Sequence, residues 1–329
     1  AKARRARDAR ETLDILVAGR YDAPGSGEVV DISMDLARAV VGSRFVAAGE
    51  RHGFEPAVGR QQTRCEVRCC TVLAAAQDLA MSPERVAAPG VLNFASARNP
   101  GGGFTTGAEA QEESLARSSG IYPCLSKHFR AFFEPHRRAA SGLYTHALIH
   151  TPGVPVLRDE HGKLLDEPYL VDFVTAAAPN CGVLKRRDGA QEASAQCGAA
   201  LHERIRRVLH TFASSGCTDV VLGAWGCGVF QNDPSTVARL FEEALAETPY
   251  FRRVIFAVLD PEMAAIFGQT FQVHVQGLDG ARESRGNGRG REEGEVQSEH
   301  TVNEESGGGK VGGRRKKRWH KGKRTEHDH

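Results

Sequence analysis

Short apolar runs alternate with stretches of helical period over most of the chain, and that alternation predicts an α/β fold. "VLNFA" (91–95), Leu170–Thr175, Val220–Ala224 and Arg253–Leu259 have strand length and are rich in Val, Leu, Ile and Phe. Between and before them lie helical patterns: Arg5–Ala18, "TVLAAAQDLA" (71–80), Gly107–Ser118, about Gln191–Phe212, and Pro234–Glu247. In the first of these, Ala6, Ala9, Leu13 and Leu16 or Val17 would form one apolar stripe. "TRCEVRCCTV" sets Cys65, Val67 and Cys69 against Glu66 and Arg68, the alternation of a strand with one solvated face. "DEHGK" (159–163) reads as a hairpin tip, and Asp233 followed by Pro234 supplies an N-cap and a first helical residue.

This patterning ends near Gly277. Residues 277–329 lack apolar periodicity and cannot bury enough surface to offset their ordering entropy, so a disordered tail is expected. Charge divides the chain at the same end. Lys310–His329 holds nine Lys or Arg against two acids, leaving net −5 before it although the whole chain is +2. The run Arg314–Arg324, with Trp319 inside it, suits a nuclear localisation signal, a weak contact with nucleic acid or another polyanion, or plain solvated charge. An intracellular protein, cytoplasmic or nuclear, is expected.

Composition adds bounds. At 329 residues with 40% hydrophobic content, the chain can bury a sizeable core. Its eight cysteines form no C-x-x-C pair and no disulfide ladder, so a reducing compartment and no zinc site are expected. The N-terminus leads into an amphipathic pattern, and no run approaches a membrane span, so neither secretion nor insertion is expected.

Candidate chemistry gathers at two strand–glycine loop–helix units. The first is "NPGGGFTTGAEAQEES", in which Gly101–Gly103 precede Gln111, Glu112 and Glu113; the second is "GAWGCGVFQNDP" (223–234). Glycine loops at strand ends let backbone N–H groups approach a phosphate, and together the two could grip a diphosphate; taken singly, such glycines often only make turns. Neither matches a P-loop or a dinucleotide fingerprint. Adjacent helical residues point about 100° apart, so Glu112 and Glu113 are not expected to face each other as a symmetrical pair. Cys227, between glycines, invites a thiol-hydrolase reading, but no particular His partners it.

"VLNFASARNPGGGFTTGAEAQEESLARSSGIYPCL" resembles the signature of the microbial-type poly(ADP-ribose) glycohydrolases, GGG followed six to eight residues later by QEE. "ARETLDILVAGRY", "VTAAAPN" and "GAWGCGVFQNDP" extend the resemblance from the N-terminus to near "VIFAVLD". The resemblance implies a macrodomain-like, three-layer α/β/α fold with a mixed central sheet. Residues 1–60 would be an N-terminal helical extension packed on the core, 61–276 the catalytic core and 277–329 the tail. It further implies hydrolysis of ribose–ribose O-glycosidic bonds without a cofactor or metal. Glu113 would be the general acid and base, and Glu112 would orient ribose hydroxyls. Asn99 and Phe230 would contact that ribose, and Gln111 the neighbouring unit. Gly101, Gly102 and Gly103, with Gly226, Cys227, Gly228 and Val229, would hold the diphosphate. Poly(ADP-ribose) and ADP-ribosylated proteins are the implied partners, acted on by a monomer. Gln231 stands where the family often has a small residue, which leaves chain-end against chain-interior cleavage open. Phe94, Phe104, Tyr122 and Phe173 are candidates to read adenine, each with a core role as its alternative. Two rivals remain: the same fold removing single ADP-ribose units from proteins or reading ADP-ribose without turnover, and a nucleic-acid-binding protein in which the tail does the work and the domain is a scaffold.

Overall fold

A computed structural model of the chain describes residues 1–50, 62–139 and 141–278. The tail assigned to 277–329 lies outside the described residues apart from its first two, as does the 60/61 boundary.

Eight strands form one mixed sheet in the order β10-β4-β9-β8-β5-β7-β6-β3. They are β3 (Arg44–Val46), β4 (Arg64–Arg68), β5 (Gly90–Phe94), β6 (Leu148–Arg158), β7 (Leu164–Ala176), β8 (Asp219–Leu222), β9 (Arg253–Ala257) and β10 (Val275–Gln276). From β10 to β7 all neighbours are parallel, while β6 pairs antiparallel with both β7 and β3. A separate hairpin joins β1 (Arg20–Asp22) to β2 (Val29–Asp31).

The central strands are apolar at consecutive positions because both faces are covered. Leu92, Val220, Leu222, Val254 and Phe256 pack under α8 (Ala190–Ser214), α9 (Pro234–Glu247) and α10 (Pro261–Thr270). Val91, Phe173, Val221 and Ile255 face the other way, toward α3 (Val72–Met81), α4 (Gln111–Ser118) and α5 (Ile121–Ser126). This is the three-layer arrangement expected.

Details differ from the pattern in two instructive places. In α1 (Lys2–Ala18) the buried positions are Ala9, Thr12 and Ile15, and Val17 is exposed. Thr12 belongs to the buried stripe because its Oγ1 donates to the carbonyl of Arg117 at 2.6 Å. In β4, Glu66 is buried rather than solvated, since Arg64, Arg68 and Arg253 fold over it and the last two reach Asp78 on α3. Arg68 and Arg253 both bond its carboxylate, and they hold it down at about 2 against the opposing effect of burial. The N-terminal segment does more than pack on the core. Its β3 forms the sheet's edge, and α2 (Ser33–Gly42) lies against β6. Among the described residues no helix is long and apolar enough to cross a membrane.

Candidate active site

At the end of β5 the chain loops back over its own strand, and Gln111 closes the loop. Its Oε1 accepts from the Phe94 N–H at 2.9 Å and its Nε2 donates to the Leu92 carbonyl at 2.7 Å. The side chain satisfies two backbone groups at the strand end and ties the first residue of α4 to β5. Glu112 and Glu113 are placed by that tie.

Glu112 is 2% exposed. Ser96 N–H donates to its Oε2 at 2.6 Å and Gly101 N–H to its Oε1 at 3.2 Å, with Asn93 Nδ2 at 3.5 Å. Burial pushes its carboxyl up to about 8; the Ser96 N–H opposes this and the neighbouring Glu113 charge adds to it. Glu113 is only half-buried, and its Oε1 accepts the Gly103 N–H at 3.0 Å. The pair is therefore unequal, as the helical geometry predicts.

The triple glycine serves these carboxyl groups. Gly101 and Gly102 have φ of 69° and 59°, and a Cβ on Gly102 would overlap Glu113. With Gly102 N–H donating to the Asn99 carbonyl at 3.0 Å, all three N–H groups of the triplet are engaged within the protein. The sequence assigned them to a phosphate; the structure gives two of them to the glutamates, because the seven-residue spacing folds α4 back onto the loop.

The second loop differs. It leaves β8, the parallel neighbour of β5, so the two loops emerge side by side. The N–H groups of Trp225, Cys227, Gln231 and Asn232 turn inward to loop carbonyls. Among the described residues those of Gly226, Gly228, Val229 and Phe230 meet no protein acceptor. Gly226 adopts φ 74°, and Gln231 is left-handed at φ 56°, unusual for a residue with a side chain. A cluster of free N–H groups of this kind suits an anion. The Cys227 thiol points into the core, where burial pushes it up to about 12, which keeps it un-ionised.

The remaining assigned residues line the edges. Asn99 is exposed, and its Oδ1 accepts from Arg137 Nη2 at 2.6 Å; the same guanidinium donates to the Arg98 carbonyl and lies over the Phe129 ring. Phe230 lies 6.1 Å from Tyr144, ring to ring. A cavity of about 480 Å³ opens on the other side, lined by Phe94, Gln111, Cys70, Thr71, Leu259 and Met263 among others. Of the four aromatic residues considered for adenine, Phe94 lines this cavity. Phe104 and Phe173 are core, and Tyr122 packs on Phe104.

Sequence reasoning missed Asn93, Ser96, Arg117 and Arg137. Asn93 carried a signal, a fully buried amide inside an apolar strand, and it also bonds Thr175 on β7. Arg117 lies one helical turn beyond Glu113 and is anchored to the Ala108 carbonyl at 2.6 Å. Ser96 acts through its backbone and offered nothing to read.

A mixed sheet with both glycine loops at the carboxyl ends of adjacent parallel strands is macrodomain-like, and the glutamate pair beneath one loop gives it a carboxylate site. Residues 9–159 match the family described as microbial-type PARG, catalytic domain. The poly(ADP-ribose) glycohydrolase of Thermomonospora curvata is 40% identical with a TM-score of 0.71, the match covering 82% of this chain and 100% of that one. The same enzyme bound to the inhibitor ADP-HPD matches at 41% identity and a TM-score of 0.71, over 81% of this chain and 99% of that one. The Deinococcus radiodurans enzyme in complex with ADP-ribose is 41% identical, TM-score 0.63, over 72% of this chain and 97% of that one. No curated protein sequence matches. The chain belongs to the microbial-type poly(ADP-ribose) glycohydrolase family.

Proposed function

We propose that this protein hydrolyses the ribose–ribose O-glycosidic bonds of poly(ADP-ribose) and releases ADP-ribose, with Glu113 as general acid and then base. The observation that carries this is the pair of unequal carboxyl groups clamped by the glycine loop, Glu112 sealed in and Glu113 half-buried beside it.

In this reading the free N–H groups of Gly226, Gly228, Val229 and Phe230 hold the diphosphate, and adenosine occupies the cavity beside Phe94. The distal ribose then lies over the glutamates between Asn99 and Phe230. Glu113 protonates the leaving ribose oxygen and next takes a proton from the water that attacks the anomeric carbon. Positioned transfer of this kind contributes roughly 10² to 10⁴ in rate. Glu112 shares its oxygens with two backbone N–H groups; their remaining lone pairs and, below about pH 8, its own O–H are what it can offer to ribose hydroxyls. Gln111, with both amide atoms engaged on β5, positions the helix rather than the substrate.

The test is release of ADP-ribose from auto-modified, radiolabelled polymer by the intact chain and by Glu113→Gln side by side. Release by the former alone supports the reading. Binding of ADP-ribose with no release by either would make the domain a reader, or one acting on a different ADP-ribosyl linkage.

A further inference from the structure

Across the carboxyl edge of the sheet the site has a direction. The cavity is lined from the ends of β4, β9, β8 and β5, with α1 and the β6–β7 turn closing it, the two glycine loops rise from β8 and β5, and Asn93 and Thr175 place Glu112 over β5 and β7. Past β7 two further segments close on the same loops from outside. Arg137 of α6 (Glu134–Arg138) holds Asn99, and Lys185 of α7 (Cys181–Asp188) donates to the Gln231 carbonyl at 3.2 Å. The segments are joined to each other. The His136 ring lies 5.5 Å from Tyr144, whose ring faces Phe230, and Arg187 Nη1 donates to the Ser141 carbonyl at 3.1 Å.

This rim is basic. Arg98, Arg137 and Arg138 stand on one side and Lys185, Arg186 and Arg187 on the other, against Glu134 and Asp188 in the same helices. Around the cavity, by contrast, Arg4, Arg5, Arg117 and Arg158 are balanced by Asp8, Glu109, Glu160 and Asp260. Arg138 and Arg186 are exposed. Among the described residues Arg138 meets only the i,i+4 partner Glu134, a surface pair of the kind that contributes little and yields readily to a stronger anion.

We infer that the rim formed by α6 and the last turn of α7 is a second subsite, for the diphosphate of the ADP-ribose unit on the leaving side of the scissile bond. The inference rests on the function proposed above. With adenosine of the bound unit in the cavity and its distal ribose at the glutamates, the chain beyond the cleaved bond has to leave over β7. Each unit brings a diphosphate, and guanidinium groups recognise phosphate oxygens with paired, charge-assisted hydrogen bonds. Contacts of this kind release counterions, so they weaken steeply with salt, whereas the backbone N–H groups of the β8 loop carry no net charge.

The experiment uses the full chain, with its basic tail constant in every arm, in a Glu113→Gln background so that polymer is not consumed. Affinity for length-fractionated poly(ADP-ribose) and for ADP-ribose is measured at low and at physiological salt, with and without Arg138→Glu and Arg186→Glu together. Reversing both charges is expected to weaken polymer about tenfold at low salt and to make its salt dependence shallower. ADP-ribose affinity stays unchanged. Equal weakening of polymer and ADP-ribose, or an unaltered salt dependence for polymer, overturns the inference. Failure of the background protein to bind even ADP-ribose would instead overturn the proposed function. Binding of ADP-ribose with no added affinity for polymer removes the second subsite alone.

Discussion

Gly102 is packed so closely on Glu113 that a methyl group on the glycine would occupy the space of the Glu113 carboxylate. The glycine's φ of 59° adds a smaller penalty of its own. Gly102→Ala is therefore a lesion of the site before it is a lesion of the fold. Backbone strain of about 1 to 2 kcal/mol is expected in thermal melts. A displaced acid costs much more in turnover, and kcat/KM on polymer should fall about 10²-fold or further. A variant that keeps kcat/KM within about tenfold would show that the glycine contact does not place Glu113.

Glu112 makes stability depend on pH in a defined window. Its carboxyl is raised from 4.5 to about 8, so between those values the folded protein keeps a proton that the unfolded chain releases. Stability thus falls as pH rises through that window, by an amount on the order of 5 kcal/mol. Glu112→Gln, uncharged throughout, should flatten the decline, so the variant gains most over the parent near pH 8. Glu66 acts with the opposite sign at lower pH. Held at about 2, it contributes stability above 4.5 that is lost as pH falls toward 2. Melting temperatures from acid to mildly alkaline pH separate the two, and an unchanged slope in Glu112→Gln would contradict the burial of that proton.

Gln111 is expected to behave as a structural clamp. Gln111→Ala strands the Phe94 N–H and the Leu92 carbonyl at the end of β5, a cost of about 1 to 3 kcal/mol. Gln111→Glu retains the acceptor but replaces the donor to Leu92 with a carboxylate oxygen, so it should be no better. Both variants should lose kcat more than affinity for ADP-ribose, because the tie orients the glutamates. A selective rise in KM for polymer with kcat intact would restore Gln111 to the substrate.

Much of this was legible in the sequence because it depends on local pattern. Continuous apolar runs marked the buried parallel strands, Asp233–Pro234 marked the start of α9, and glycines ahead of Gln-Glu-Glu marked the site. What pattern could not show is which N–H group meets which acceptor. The phosphate role read for Gly101 and Gly103 came from the general chemistry of glycine loops. Only the fold back of α4 reveals that their donors hold carboxylates instead. Glu66 was hidden for a related reason: its compensating Arg253 lies 187 residues away in sequence. The edge strand β3 and hairpin β1–β2 are three residues per strand, too short to register as periodicity.

Cys227 separates the glycosidase from a thiol hydrolase built on the same loop. A nucleophilic cysteine needs an accessible thiolate, a lowered pKa and a base within reach. Here the thiol is 7% exposed, 3.8 Å from the Trp225 carbonyl, and pushed up to about 12 by burial, with Asp233 adding to the effect. Its packing is what the fold uses. Cys227→Ala should therefore lower the melting temperature through the lost contact while leaving kcat on polymer within about threefold, where removal of a nucleophile costs orders of magnitude. Thiol alkylation at neutral pH should spare activity for the same reason. A drop of about 10³-fold in Cys227→Ala, with folding intact, would move the chemistry from Glu113 to the thiol.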